Sequence, residues 1–327
     1  TIDADAARYP VLLEDLLDPG VYSEAVTRAD IAMELQARLG ENDGDSEARV
    51  RALAQFQRTI MFRIAVADFN GMLPIMKVSD GLTWLAEVVL EETLRIAWGD
   101  LAERHGVPRY TVDGEIHEAG FGIIAYGKLG GLELSYGSDL DIVFLHDSHG
   151  TKQETDGDKP LDNGMFFSRL VRRLTHFLSM QTGSGQLYEV DTRLRPDGHK
   201  GLLVTNTEAF ERYQEEHAWT WEHQALLRAR PVAGSAGIAA EFDRIRRETL
   251  VGRVRRDTLR GDVIDMRKRR RKELDRSDSP AFDLKHGRGG IGDIEFLVQY
   301  LVLANADDHP DVIFWSDNIR QLDALVE

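Results

Sequence analysis

Two aspartates, Asp139 and Asp141, stand two positions apart at the start of an apolar segment. Alternation along a β-strand would direct both carboxylates to the same face. Neighbouring carboxylates repel each other, and a divalent cation bound between them relieves that repulsion. Carboxylate oxygens are hard ligands that favour Mg²⁺, which keeps waters and substrate phosphates as its other ligands. Taken alone, such a pair is a weak signal, because two solvated aspartates at a strand start explain it equally simply.

A glycine-rich turn, GKLGG at residues 127–131, precedes the aspartate pair. Glycine lets backbone N–H groups approach a phosphate closely, and such a turn can form an anion-binding nest. Lys128 adds a positive charge where a triphosphate would lie. A tight turn between two elements explains the glycines as well. The spacing suits a turn and a short helix that lead back into the aspartate-bearing strand.

A third acidic residue, Asp191, lies in the segment YEVDTRLRPDG at residues 188–198. On a strand beside the first, its carboxylate would complete a three-carboxylate site for two metal ions, which clamps the attacking and leaving oxygens at phosphorus. Strand alternation puts Arg193 and Arg195 on the same face, where they would bind phosphate oxygens. A salt-bridged strand is the alternative. Glu189 shares this face and has no assigned role.

In combination, a glycine turn, an Asp-x-Asp pair and a later aspartate are typical of nucleotidyltransferases of the DNA polymerase β type. We therefore predict that Asp139, Asp141 and Asp191 are the catalytic residues and the ligands of two Mg²⁺ ions. The residues expected to bind the nucleotide are Gly127, Lys128, Gly130, Gly131, Ser138, Arg193 and Arg195.

Apolar periodicity indicates the elements that must position these residues. Helical spacing prevails from Tyr9 to about His105. Strands are predicted at residues 121–126, 140–146 and 186–195, a helix at 165–182, an exposed loop at 147–164, and helices from 207 to the end. The expected fold class is α+β and mostly helical, with a small mixed sheet. The predicted parts are an N-terminal helical region (1–110), a polymerase β-like nucleotidyltransferase domain (111–245) and a truncated C-terminal helical domain (246–327).

Composition narrows the function classes. The chain has 327 residues and a formal net charge of −16, which disfavours a protein that grips nucleic acid by its phosphates. One segment, Arg253 to Arg276, is basic; a solvated helix face is the favoured interpretation, and a surface for an acidic partner or nucleotide phosphates is the alternative. No apolar run reaches the roughly 20 residues of a membrane span. The absence of cysteine suits a reducing cytoplasm.

Several segments closely resemble the glutamine synthetase adenylyltransferase family, the bifunctional adenylyl-transferring and adenylyl-removing enzymes of bacterial nitrogen control. They include YGKLGGLELSYGSDLDIVFLHD, LYEVDTRLRPDG, FNGMLPIMKVSDGLTWLAE and FDLKHGRGGIGDIEFLVQYLVL, and the likeness spans nearly the whole chain. Enzymes of this family have two homologous halves. The segments HAWTWEHQALLRAR, MLPIMKVSD and WSDN are similar to the half that adds AMP.

The resemblance implies transfer of AMP from ATP to a tyrosine hydroxyl of glutamine synthetase, with release of pyrophosphate. It also implies PII signalling protein and glutamine as regulators of the full-length enzyme, a cytoplasmic location, and no nucleic-acid or membrane partner. The nearest alternative is the adenylyl-removing half, which uses phosphorolysis. A non-catalytic module that senses PII or glutamine is a further alternative, although a binding module has no need of clustered carboxylates.

Two motifs outside the carboxylate set have two interpretations each. The first motif is aromatic and polar, and consists of Trp219, Trp221, Glu222 and His223. It either lines the nucleotide pocket or packs the domain junction, and packing is favoured. The second motif either is a family signature or begins a helix with acidic residues in its first turn; it consists of Gly289, Gly290, Asp293 and Glu295.

Overall fold

The computed structural model describes residues 27–40, 45–278 and 281–326. The predicted helical segment ahead of residue 27 lies outside this range. Among the described residues the helices are α1 (Arg28–Leu39), α2 (Ser46–Phe69), α3 (Ile75–His105), α4 (Gly127–Gly130), α5 (Asn163–Ser179), α6 (Thr207–Glu216), α7 (Thr220–Leu227), α8 (Ala236–Glu248), α9 (Arg256–Leu274), α10 (Ile291–Asn305) and α11 (Asn318–Ala324). Within this part of the chain, no helix is long and apolar enough to cross a bilayer.

The strands of the same residues are β1 (Pro108–Val112), β2 (Glu115–Glu118), β3 (Phe121–Ala125), β4 (Leu140–His146), β5 (Thr151–Thr155), β6 (Val190–Asp191), β7 (Thr205–Asn206) and β8 (Arg230–Gly234). They form a small antiparallel sheet in the order β2-β1-β5 and a larger mixed sheet in the order β6-β4-β3-β8. In the larger sheet β3 pairs antiparallel with β4 and β8, whereas β6 and β7 pair parallel with β4.

The larger sheet has two apolar faces, as the alternation of its central strands requires. Ile123, Ile142 and Phe144 belong to a core shared with α2, α3 and α5, whereas Ile124 and Val143 belong to a second core shared with the helices that follow β7. Helices therefore cover both faces. The α+β, mostly helical fold class is confirmed.

The predicted strands at 121–126 and 140–146 are confirmed as β3 and β4, and the helix predicted at 165–182 is α5. Three predictions are wrong. The segment 147–164 is not simply a loop, since it contains β5, and the segment after Thr207 includes a strand, β8. The strand predicted at 186–195 is limited to β6, two residues long.

The two cores cross the predicted domain boundaries. One joins residues before 110 to the sheet, and the other joins the sheet to residues after 246. The division into three parts stays a prediction, and the sheet is the element that both helical regions share.

A buried arginine ties the last helical region to the region around the sheet. Arg246 of α8 is 8% exposed. Its guanidinium donates to the carbonyl oxygens of Leu226 at 3.1 Å, Leu227 at 2.7 Å and Ile313 at 2.9 Å. These three carbonyls would lose these donors without Arg246, and an unsatisfied buried acceptor is costly.

We expect Arg246→Met to lower the free energy of unfolding by about 3 kcal/mol, because it strips donors from three carbonyls in the interior. Arg247→Met is the matched control, since Arg247 is the exposed neighbour on the same helix. Urea denaturation of the three proteins measures the difference. Equal midpoints for the two variants would contradict the assigned role of Arg246.

Candidate active site

The three predicted carboxylates, Asp139, Asp141 and Asp191, converge at one end of the larger sheet; we call them the carboxylate cluster. Asp141 of β4 is the direct parallel partner of Asp191 of β6. Asp139 lies immediately before β4, two residues from Asp141. The alternation of β4 directs Asp141 away from the α2–α3 side of the sheet, the side faced by Leu140 and Ile142. The neighbouring strand that the sequence requires for Asp191 is therefore present.

The charges within the cluster act on each other. Burial raises the pKa of Asp141 to about 6, and the negative charges of Asp139 and Asp191 add to the effect. The pKa of Asp191 is instead lowered, mainly because its carboxylate accepts hydrogen bonds from Arg193. Burial and the two neighbouring carboxylates thus make the charged form of Asp141 costly.

The glycine turn at residues 127–131 lies against the carboxylate cluster. Gly127 has a φ of +56°, in the left-handed region, and a Cβ on this residue would overlap a carboxylate oxygen of Asp141. The amide of Tyr126 donates to the carbonyl oxygen of Asp141 at 2.8 Å. Only a residue without a side chain fits this position, so a phosphate at the beginning of the turn would also lie close to the carboxylates.

The far end of the turn is held from behind by distant residues. Arg230 of β8 donates to the carbonyl oxygens of Leu129 and Gly130, both at 3.0 Å. Ser316, in the WSDN motif, donates to the Gly130 oxygen at 2.7 Å. Gly131 packs against the guanidinium of Arg228. The carbonyls at the end of α4, which a helix leaves without partners, are satisfied in this way.

Arg228 and Glu133 extend this support. Arg228 is almost fully buried and pairs with Glu133 and, at 3.1 Å, with Glu295 of α10. Glu133 also accepts hydrogen bonds from the backbone and side chain of Asn318, at 3.1 and 3.0 Å. Segments that lie nearly two hundred positions apart in sequence therefore fix the glycine turn.

The predicted nucleotide-binding glycines divide into two groups. Gly127 lines the cleft in front of the cluster, whereas Gly130 and Gly131 do not. The amides of the latter two are used within the turn, donating to Tyr126 at 2.9 Å and to Gly127 at 3.0 Å. Their surroundings fit a packing role behind the turn.

Lys128 and Ser138 lie on the cleft wall. The Lys128 ammonium donates to the Ser135 hydroxyl at 3.0 Å, and the hydroxyls of Ser135 and Ser138 are 2.9 Å apart. This polar group stands beside Asp139, so both predicted residues face the space in front of the carboxylate cluster.

Arg193 and Arg195 do not share a strand face with Asp191, because β6 ends at Asp191. Arg193 forks onto the Asp191 carboxylate, and its amide donates to the same carboxylate at 2.8 Å. Arg195 donates to the carbonyl oxygen of Thr192 at 2.8 Å. Neither lines the cleft. The prediction that they extend a strand is wrong, because the side chain of Asp191 caps a local turn instead.

The cleft has a volume of about 530 Å³ and two walls. The first consists of Gly127 and Lys128 of the glycine turn, the loop at residues 135–139 and Asp141. The second comes from α7, α9, α10 and the loop before α10; its members include Trp221, Met266, Arg270, Lys285 and Phe296. Met266, Lys285 and Phe296 were not among the predicted site residues, since nothing in their local sequence pattern indicates that they face the carboxylates.

The aromatic motif before Arg228 has mixed roles. Trp221 lines the cleft, Trp219 is 66% exposed and His223 is buried. Glu222 accepts from the Tyr213 hydroxyl at 2.8 Å and from the Trp219 amide at 2.9 Å, which caps α7. His223 therefore packs in the interior and Glu222 caps its own helix, whereas Trp221 lines the cleft. Packing of a domain junction by these residues stays a prediction.

The donor set fits Mg²⁺. The cluster offers hard carboxylate oxygens, which are the ligands that Mg²⁺ prefers. As they stand in the described part of the chain, no three or more histidine or acidic side chains are grouped so that they could hold a metal ion. Asp191 is engaged by Arg193 instead, so binding of an ion by all three residues requires Asp191 to exchange that partner.

Comparison with known proteins supports the resemblance seen in the sequence. The profile of the family described as glutamate-ammonia ligase adenylyltransferase matches residues 1–245, and that of the GlnD PII-uridylyltransferase family matches residues 258–327. Proteins named bifunctional glutamine synthetase adenylyltransferase/adenylyl-removing enzyme are 54% identical in Thioalkalivibrio sulfidiphilus, over 98% of the chain, and 49% identical in Nitrosococcus oceani, over 98% of the chain. The chain spans about a third of their length, 33% in both.

We expect Gly127→Ala to destabilise the protein more than Gly137→Ala. Both glycines have positive φ, so each variant carries the strain of a left-handed alanine, about 1–2 kcal/mol. A Cβ at Gly127 also overlaps Asp141, whereas a Cβ at Gly137 meets nothing within 4 Å. Urea denaturation compares the two losses in unfolding free energy. Equal losses would mean that Gly127 does not pack against the carboxylate.

Proposed function

The chain belongs to the glutamate-ammonia ligase adenylyltransferase family, and from this premise we propose that it transfers AMP from ATP to a tyrosine hydroxyl of glutamine synthetase. The observation that carries the proposal is the pairing of Asp141 with Asp191 directly beside the glycine turn. Three carboxylates next to a backbone turn are suited to phosphoryl chemistry with divalent metal ions. The names of the relatives supply the acceptor protein.

Different residues of the cleft bind the triphosphate and the Mg²⁺. Gly127, Lys128 and Ser138 bind the triphosphate from the wall of the glycine turn, and Lys128 supplies positive charge. Asp139, Asp141 and Asp191 hold Mg²⁺, which we propose as two ions. When bound, Mg²⁺ neutralises charge on the phosphates and stabilises the charge that develops at phosphorus.

The reaction is an in-line displacement at the α-phosphorus. The tyrosine oxygen forms a bond to this phosphorus as the bond to the bridging oxygen breaks, and pyrophosphate leaves with the electron pair. A tyrosine hydroxyl has a pKa of about 10, so its proton must be drawn away, and we assign this task to the carboxylate cluster. The protein otherwise contributes orientation of the two reactants and an electrostatic environment fixed before the reaction.

Two observations support the adding direction over removal. Two of the three segments that resemble the adding half lie at the site: Trp221 lines the cleft, and Ser316 and Asn318 brace the glycine turn and its neighbour Glu133. We further propose that PII signalling protein and glutamine regulate the longer protein. The likeness of residues 258–327 to the GlnD PII-uridylyltransferase family supports the first of these regulators.

Incubation with ATP, Mg²⁺ and unmodified glutamine synthetase, followed by mass measurement of the synthetase, tests this function. We expect a gain of one adenylyl group per modified subunit. Asp139→Asn and Asp141→Asn should each slow the transfer by about a thousandfold, the scale on which loss of a charge partner in the transition state slows enzymes. Asp158→Asn, in the exposed loop after β5, is the control and should retain the wild-type rate.

The parallel reaction uses adenylylated glutamine synthetase, orthophosphate and Mg²⁺. If the wild-type chain removes AMP there and adds none in the first reaction, the removing activity replaces the proposed one. Wild-type transfer rates in both aspartate variants would reject the assignment of metal ligands.

A further inference from the structure

One lysine faces the carboxylate cluster from the opposite wall of the cleft. Lys285 lies in the loop between α9 and α10 and lines the cleft together with Gly127, Lys128 and Asp141. Among the described residues, no carboxylate lies within 4.0 Å of the Lys285 ammonium. The lysine and the cluster are thus held on two sides of an open space.

We propose that Lys285 binds the β- and γ-phosphates of the nucleotide from the wall opposite the glycine turn, an assignment that rests on the proposed function. These two phosphates carry most of the negative charge of the triphosphate. A lysine ammonium is a compact point charge that suits phosphate oxygens. The α-phosphate must stay open to the incoming hydroxyl, which leaves the other two for a cation on this side.

The loop that presents Lys285 is tightly specified by backbone contacts. The Asp283 carboxylate accepts from the amides of Lys285 at 2.9 Å and His286 at 2.8 Å. The amide of Gly292 donates to the carbonyl oxygen of Lys285 at 3.0 Å. A Cβ at Gly290 would stand 2.5 Å from the carbonyl oxygen of Leu284. These hydrogen bonds and the close packing at Gly290 therefore fix the backbone position of Lys285.

A partly buried ion pair fastens the same loop to the helices on either side. Arg267 of α9 is 8% exposed and pairs with Asp293 in the first turn of α10. Its guanidinium also donates to the carbonyl oxygens of His286 and Gly287, both at 3.2 Å. Asp293 accepts from the amide of Gly289 at 2.6 Å. The glycine and aspartate motif before α10 thus acquires a role, which is to hold Lys285 at the cleft.

The neighbouring Arg270 differs from Lys285. Its guanidinium lies over the ring of Phe296, 5.8 Å from the centroid, so it has a cation–π partner on its own wall. Lys285 has no such contact among the described residues and is the better candidate for a ligand of phosphate.

Binding measurements on the 327-residue chain test the role of Lys285. The ligands are ATP, AMP and pyrophosphate, each with Mg²⁺, measured by isothermal titration. We expect Lys285→Met to weaken the binding of ATP and of pyrophosphate about tenfold or more, because one charge-assisted contact is lost. The affinity for AMP should change less than twofold. Lys285→Arg should restore most of the ATP affinity, and Lys272→Met, at an exposed position of α9, is the matched control.

Thermal unfolding of each variant shows whether the fold is kept. Unchanged ATP affinity in Lys285→Met would overturn the inference, and so would an equal loss for AMP and ATP, which indicates a structural role. The two proposals can also separate. If the wild type binds ATP, and Lys285→Met loses affinity for ATP and pyrophosphate but not for AMP, the inference about Lys285 stands. If glutamine synthetase is nevertheless never modified, the proposed acceptor is wrong. Absence of ATP binding by the wild type would overturn both.

Discussion

Parallel pairing of β4 with β6 brings two carboxylates, Asp141 and Asp191, to the same end of the central sheet, with Asp139 beside them. Like charges at such short range oppose folding, and burial adds to the cost, as the raised pKa of Asp141 indicates. Positively charged side chains around the cluster offset part of this repulsion. Arg193 pairs with Asp191, and Lys285 lines the same cleft as Asp141. A bound divalent ion would supply further positive charge. Strain of this kind is typical of functional sites.

The residues that do no chemistry keep this end of the sheet rigid. Arg230 and Ser316 donate hydrogen bonds to the end of the glycine turn, and Gly127 at its beginning packs against Asp141. The opposite wall is held by the partly buried pair of Arg267 with Asp293. The contacts of Arg230 and Ser316 join segments at least 100 positions apart, and a site supported in this way keeps its geometry while substrates enter and leave.

Sequence patterns were sufficient where a segment is apolar and regular. The strands β3 and β4 are short apolar runs, and α5 has a clear helical period, so all three were predicted. The small sheet was missed because β2 and most of β5 are exposed and polar, which hides the alternation that marks a strand.

The predicted site shows the same division. The convergence of Asp139, Asp141 and Asp191 followed from spacing and a neighbouring strand. The extent of that strand did not, since the Asp191 side chain bonds to the amide of Arg193 and ends the pairing. The position of Lys285 at the cleft could not be predicted from the sequence, because only the tertiary fold decides which of the many cationic side chains in the C-terminal segment faces the cleft.

Anomalous diffraction from crystals of the chain grown with Mn²⁺ and a non-hydrolysable ATP analogue tests the carboxylate cluster most directly. Mn²⁺ takes the oxygen ligands that Mg²⁺ prefers and reveals its position by its scattering. The expected map has an ion between the nucleotide phosphates and Asp139 and Asp141, with Asp191 released from Arg193 to share a bound ion. A map with bound nucleotide in which Asp191 stays paired with Arg193 and no ion contacts Asp141 would contradict the role given to these carboxylates.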